Sequence, residues 1–96
     1  CIVTADKIAF PPALHITARV NGELRQDSTT DLLITSIADI IEELSSGMTL
    51  LPGTIISTGT PSGVGMGFDP PKFLRPGGDV VECAIEGIGT LRNTVR

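Results

Sequence analysis

Between Gly59 and Gly78 the chain places six of its eleven glycines and four of its seven prolines. Proline removes a backbone donor and fixes φ, and clustered glycine weakens any regular element, so neither a helix nor a central strand can run through this stretch. The segment is longer than connections in compact domains usually are, and such loops tend to be functional or mobile. The fold must therefore be assembled from the residues before it and the short stretch after it.

The flanking segments read mainly as strands. Leu14 to Val20 alternates apolar and polar side chains, the period of a strand covered on one face. Asn21-Gly22 follows, a pair suited to the positive φ values of a tight hairpin, and the polar run Glu23 to Asp27 can return as a short exposed strand. His15 falls on the outward face with Thr17 and Arg19, where a surface histidine is the ordinary reading. Thr54 to Thr58, rich in β-branched residues, predicts a buried strand. Asp79 to Glu86 alternates again, with Val81, Cys83 and Ile85 on one face and Glu82 and Glu86 on the other. Gly87-Ile88-Gly89 turns it back into Thr90 to Val95, which can set Glu82 or Glu86 across from Arg92.

One helix is predicted. Ser36 and Asp39 have capping-box spacing, and Ile37, Ile40, Ile41, Leu44 and Met48 recur on one helical face. Gly47 is placed to end the helix in a left-handed cap. The order of strands, one helix, then more strands lacks regular βαβ alternation. The fold class expected is α+β and sheet-dominated, over a single unit spanning residues 1–96.

Composition excludes several functions. A formal net charge of -4, with seven scattered Lys and Arg, leaves no basic stripe for nucleic acid or an anionic membrane. No apolar run approaches the ~20 residues that span a bilayer. The hydrophobic fraction of 41% is ample for a core, and with three aromatic residues it must rest on Ile, Val and Leu. Cys1 and Cys83 are expected as free thiols of an intracellular protein. The opening Cys1-Ile2-Val3-Thr4, apolar and without an initiator Met, reads as an internal segment of a longer chain. A sheet cut from its surroundings would expose an edge and an apolar face, so the isolated chain is expected to self-associate.

For chemistry the loop Thr58-Gly59-Thr60-Pro61-Ser62-Gly63-Val64-Gly65-Met66-Gly67 is the segment that asks for explanation. Pro70-Pro71 prevents the helix that a dinucleotide fingerprint needs, no Gly-Lys-Ser/Thr closes a phosphate loop, and Ser62 lacks the glycines of a nucleophile elbow. Two readings remain: a cradle in which the amides at Gly59 and Gly63 and the hydroxyls of Thr58 and Thr60 hold a small carboxylate or enolate, or glycines that merely permit a tight corner. The single histidine and the absence of Glu-x-Glu or Asp-x-Asp offer no metal ligand set. Glu82 and Glu86 would stand ~13 Å apart along their strand. No nucleophile–base pair is assigned, so no catalytic residue is named.

The same loop carries a resemblance. Leu51 to Gly65 resembles the "PGD-x-I-x-TGTP-x-GVG" block of the fumarylacetoacetate hydrolase family, and Val20 to Gln26 its "VNGE-x-x-Q" hairpin. Ser45 to Leu50 resembles its "S-x-x-MTL" helix end, and Phe73 to Val81 with Ile85 to Asn93 its "FL-x-PGDVV" and "IEGIGTLRN" endings. Thr54 stands where the family has Asp, and Gly77-Gly78-Asp79 carries an extra glycine; both should fall in turns. The likeness covers essentially the whole sequence, as the C-terminal part of the catalytic domain.

The resemblance implies a β-roll, commonly dimeric, in a cytoplasmic enzyme with the mitochondrion as the alternative. It implies hydrolysis, isomerisation or decarboxylation of small 2-oxo or diketo acids with Mg2+, or Ca2+ or Mn2+ in its place. It also implies that Thr60, with Gly59 beside it, binds the substrate carboxylate. The family's Glu-x-Glu and Asp ion ligands, its Lys and its His–Glu dyad precede this stretch, so the ion's ligands are expected outside it. The expected function is a segment of a C–C bond hydrolase of the acylpyruvate or fumarylpyruvate type. The alternatives are an isomerase or decarboxylase of the same family, or a truncated paralogue that binds a partner without turnover.

Overall fold

The computed structural model describes residues 1–96. Four strands, β1 (His15–Val20), β2 (Glu23–Thr29), β3 (Val80–Ile85) and β4 (Gly89–Thr94), form one antiparallel sheet in the order β2-β1-β3-β4. A single helix, α1 (Ile37–Gly47), and three short 3-10 turns complete the secondary structure. The α+β, sheet-dominated expectation is borne out.

The β1–β2 hairpin turns at Asn21 and Gly22, with φ of 51° and 81°, both left-handed as a tight two-residue turn requires. Asn21 also ties this turn to the start of the neighbouring strand β3. Its Oδ1 accepts from the Val80 amide at 2.8 Å and its Nδ2 donates to Asp79 at 2.9 Å. Sequence alternation and register agree: Ile16, Ala18 and Val20 lie opposite Ile85, Cys83 and Val81, making one apolar face. The opposite face carries His15, Thr17, Arg19 and Glu82, and Glu82 meets Arg92 across the β3–β4 pair at 3.4 Å.

The strand pair β1–β2 contains a bulge. Ala18 faces Gln26, but Arg19 faces Leu24, so Arg25 is an extra residue on β2. A one-residue slip exchanges faces. Glu23 and Gln26, three apart in sequence, consequently stand opposite Val20 and Ala18 and share the apolar face of the sheet.

Ser36 caps α1 as expected, accepting from the Asp39 amide at 3.2 Å while its hydroxyl donates to the Asp39 carboxylate at 2.7 Å. Two local expectations are corrected. Gly47 does not form a left-handed cap: it is the last helical residue, and Met48 ends the helix in extended conformation, with its amide on the Leu44 carbonyl. The chain leaves straight ahead, without the reversal that a left-handed cap makes. Thr54 to Thr58 is not a buried strand either. Its β-branched residues favour extended backbone, but the sheet is made by β1 to β4 alone, and Ile55 is 90% exposed. Thr54 instead closes a turn, its amide on the Leu51 carbonyl at 3.0 Å and its hydroxyl accepting from the Leu51 amide at 3.2 Å. The hydroxyl thereby supplies the acceptor at the position where Asp was expected. Gly77 and Gly78 likewise fall in a turn.

The packing is open throughout. None of the 96 residues is buried, and the apolar sheet face leaves Leu91 at 65% exposure. A folded monomer of this mass has roughly 5,200 Å² of accessible surface, against 7567 Å² here. Its radius of gyration is 15.7 Å, where a compact chain of this length has about 12.5 Å. Cys1 and Cys83 form no disulfide with each other, and both are exposed.

Candidate functional site

β2 holds the Gly/Pro loop against the sheet, and the bulge at Arg25 makes this attachment. Gly63, at φ 101°, lies so close to β2 that a Cβ there would stand 1.9 Å from the Arg25 carbonyl oxygen. Gln26 Nε2 donates to Thr60 Oγ1 and to the Pro61 carbonyl, each at 2.8 Å. Farther along, the Lys72 ammonium pairs with Glu23 and stands 4.6 Å from the Phe68 ring centroid, with the Arg25 guanidinium 5.3 Å from the same centroid. Phe68 is thus the loop's apolar anchor beside two cations, an arrangement worth roughly 0.5–1 kcal/mol per cation at exposed sites.

Charge follows the same attachments. The Lys72 hydrogen bond holds the Glu23 carboxyl below its ordinary value, with the Arg25 charge adding to the effect. Asp79 is also lowered, first by the Asn21 side-chain amide and then by the Arg75 backbone amide. Both carboxylates therefore serve as anchors in their ionised form.

The pinned part of the loop lines a groove of about 890 Å³. Ile16, Ile40 and Leu44 form part of its apolar wall, and Thr58, Gly59 and Thr60 edge it with polar groups. α1 stands off the sheet across this groove. At Gly59 the backbone has φ 97° and nothing lies within 4 Å of where a Cβ would be. The two glycines of the expected cradle thus separate. Gly63 packs closely on the β2 backbone, whereas Gly59 is open at its Cβ position.

No three His, Cys, Asp or Glu side chains of this chain stand close enough together to hold a metal ion. The residues present do not fit an ion site. On the polar sheet face, His15 Nε2 lies 2.6 Å from Asp27 Oδ1, and the His15 amide donates to Glu86 at 3.2 Å, all of them exposed. Glu86 therefore bonds to β1 and leaves Arg92 to Glu82. Sequence spacing did not reveal the Gln26–Thr60 or Glu23–Lys72 links, because each joins residues more than thirty positions apart. The clue was the hairpin block itself, in which both Glu23 and Gln26 already stood out.

Comparison with known proteins finds matches along essentially the whole chain. The family model described as the C-terminal region of fumarylacetoacetate hydrolase matches residues 1–96. An oxaloacetate tautomerase of Bacillus subtilis (strain 168) is 53% identical over 94 residues, which is 98% of this chain and 31% of the relative. Among solved structures, a fumarylacetoacetate hydrolase from the psychrophile Exiguobacterium antarcticum superposes with a TM-score of 0.91 at 48% identity, over 98% of this chain and 33% of that one. A maleylpyruvate hydrolase from Sphingobium sp. SYK-6, in complex with manganese(II) and pyruvate, gives 0.83 at 38% identity, over 98% and 33%. The chain thus spans about a third of the length of the relatives it matches. No helix is long and apolar enough to cross a membrane.

Proposed function

The chain belongs to the fumarylacetoacetate hydrolase family, and on that basis we propose that it is the carboxylate-holding segment of a divalent-metal-dependent hydrolase of acylpyruvate-type diketo acids. The observation that carries the reading is the open edge formed by Thr58, Gly59 and Thr60 on a groove whose wall includes Ile16, Ile40 and Leu44. A hydroxyl and an unencumbered amide suit the two oxygens of a 2-oxo acid's carboxylate. The apolar side chains beyond them offer contact to the remainder of the substrate. In this proposal the ion, Mg2+ or a similar cation, takes its ligands from outside these 96 residues. The manganese and pyruvate of the Sphingobium enzyme support the pairing of a divalent cation with a 2-oxo acid.

The exposed apolar sheet face belongs, in the same proposal, against the rest of the catalytic domain and a second subunit of a homodimer. A second reading is favoured by one observation, the 53% identity to an oxaloacetate tautomerase. In that reading the same carboxylate cradle serves an isomerase, which moves a proton and leaves the carbon skeleton whole. Proton NMR of the encoded protein with Mn2+ and acetylpyruvate separates the two. Appearance of acetate and pyruvate supports the hydrolase; intact acetylpyruvate, with fast enol–keto exchange of oxaloacetate, replaces it with the isomerase.

A further inference from the structure

The amide of Gln26 does more than hold the loop. We propose that Gln26 sets the direction of the Thr60 hydroxyl proton, turning it away from the sheet and into the groove, where it donates to a ligand carboxylate. This inference rests on the reading of Thr60 as a carboxylate-binding residue.

Pro61 fixes the orientation of the Gln26 amide. Its carbonyl can only accept a hydrogen bond and it has no N–H. The end of the Gln26 amide that lies 2.8 Å from this carbonyl must therefore be the NH2 group. The same nitrogen lies 2.8 Å from Thr60 Oγ1, so its other hydrogen is given to that hydroxyl. A hydroxyl has one proton and two acceptor sites. With one acceptor site filled by Gln26, the Thr60 proton cannot lie along that contact and remains free for a group in the groove. No other protein group bonds to this hydroxyl. A carboxylate accepts only, so a hydroxyl already oriented as a donor meets it without first breaking a bond. The Arg25 bulge is what brings Gln26 to the face of the sheet where Thr60 lies. Gln26 is a positioning residue, and it acts only through Thr60.

The test uses the encoded protein loaded with Mn2+, with pyruvate as the calorimetric probe and folding checked by thermal unfolding. Gln26→Met keeps the length and removes both donors, leaving the hydroxyl free to rotate. Pyruvate affinity is expected to fall about fivefold, a modest part of a charge-assisted hydrogen bond. Gln26→Glu presents an acceptor to Thr60 and draws its proton back, so the fall should be larger, about 30-fold or more. Placed in a Thr60→Val background, Gln26→Met should change pyruvate affinity by less than about twofold, because its effect runs through the missing hydroxyl. If Gln26→Met does not fold, Gln26→Glu is compared in the same two backgrounds, so that the effect of its charge on the ligand cancels. An equal loss in both backgrounds, or no loss in either, overturns the inference. If Thr60→Val itself leaves affinity unchanged, the carboxylate-binding reading of Thr60 falls first and this inference with it. If Thr60→Val weakens binding while the Gln26 variants do not, only this inference falls.

Discussion

Gly63→Ala in the encoded protein is expected to detach the Gly/Pro loop from β2 and abolish pyruvate binding. The new Cβ would lie 1.9 Å from the Arg25 carbonyl oxygen and 2.8 Å from its carbonyl carbon. Both obstacles are backbone, held by the hairpin ladder, so no side chain can swing aside. The residue also sits at φ 101°, a conformation L-residues rarely adopt. Overpacking and backbone strain each cost about 1–3 kcal/mol, so urea denaturation should report a loss of about 3 kcal/mol or more unless the loop lets go. Release would also break the two Gln26 hydrogen bonds a few residues away. Gly77→Ala is the control: its φ is 89°, but nothing lies within 4 Å of its Cβ position, so it carries strain without collision. Equal, small effects of the two substitutions would contradict the proposed role of the close approach.

The second large effect concerns residues 1–96 produced alone. They are expected to self-associate and to unfold without a sharp cooperative transition. The chain exposes about 2,300 Å² more surface than a folded monomer of its mass, with Ile2, Ile34 and Ile55 each at least 90% exposed. Most monomers leave no contiguous apolar patch above about 300–600 Å². Stable obligate partners bury roughly 2,000–5,000 Å² between them, so the exposed excess is of the size a permanent interface covers. Sedimentation velocity should show oligomers or aggregate across micromolar concentrations. A monodisperse monomer with a cooperative melt would show that the four strands and α1 suffice as a folding unit.

The strands, the helix and its cap were legible because each is local. Alternation placed Ile16, Ala18 and Val20 on one face, and Ser36 with Asp39 announced the start of α1. Thr54 to Thr58 misled because β-propensity specifies an extended backbone, while a strand also needs a neighbouring edge, which is a non-local fact. Gly47 misled because glycine permits a left-handed cap without requiring one. The site was half legible. Glycine and threonine marked Gly59 and Thr60 as candidates, but spacing could not tell Gly59, which borders open space, from Gly63, which packs on Arg25. That distinction depends on the bulge at Arg25, a single extra residue whose effect shows only once β1 and β2 are paired.

The most direct test of the central claim is calorimetric titration of pyruvate into the Mn2+-loaded encoded protein, with Thr60 intact and as Thr60→Val. Valine keeps the branched shape and removes the hydroxyl, taking away its bond to the charged ligand together with the acceptor for Gln26. A hydrogen bond to a charged ligand is worth about 1.5–3 kcal/mol, and pyruvate affinity should fall about 10- to 150-fold while the melting temperature stays near that of the wild type. Unchanged affinity would contradict the account and return the loop's glycines and threonines to a purely structural role.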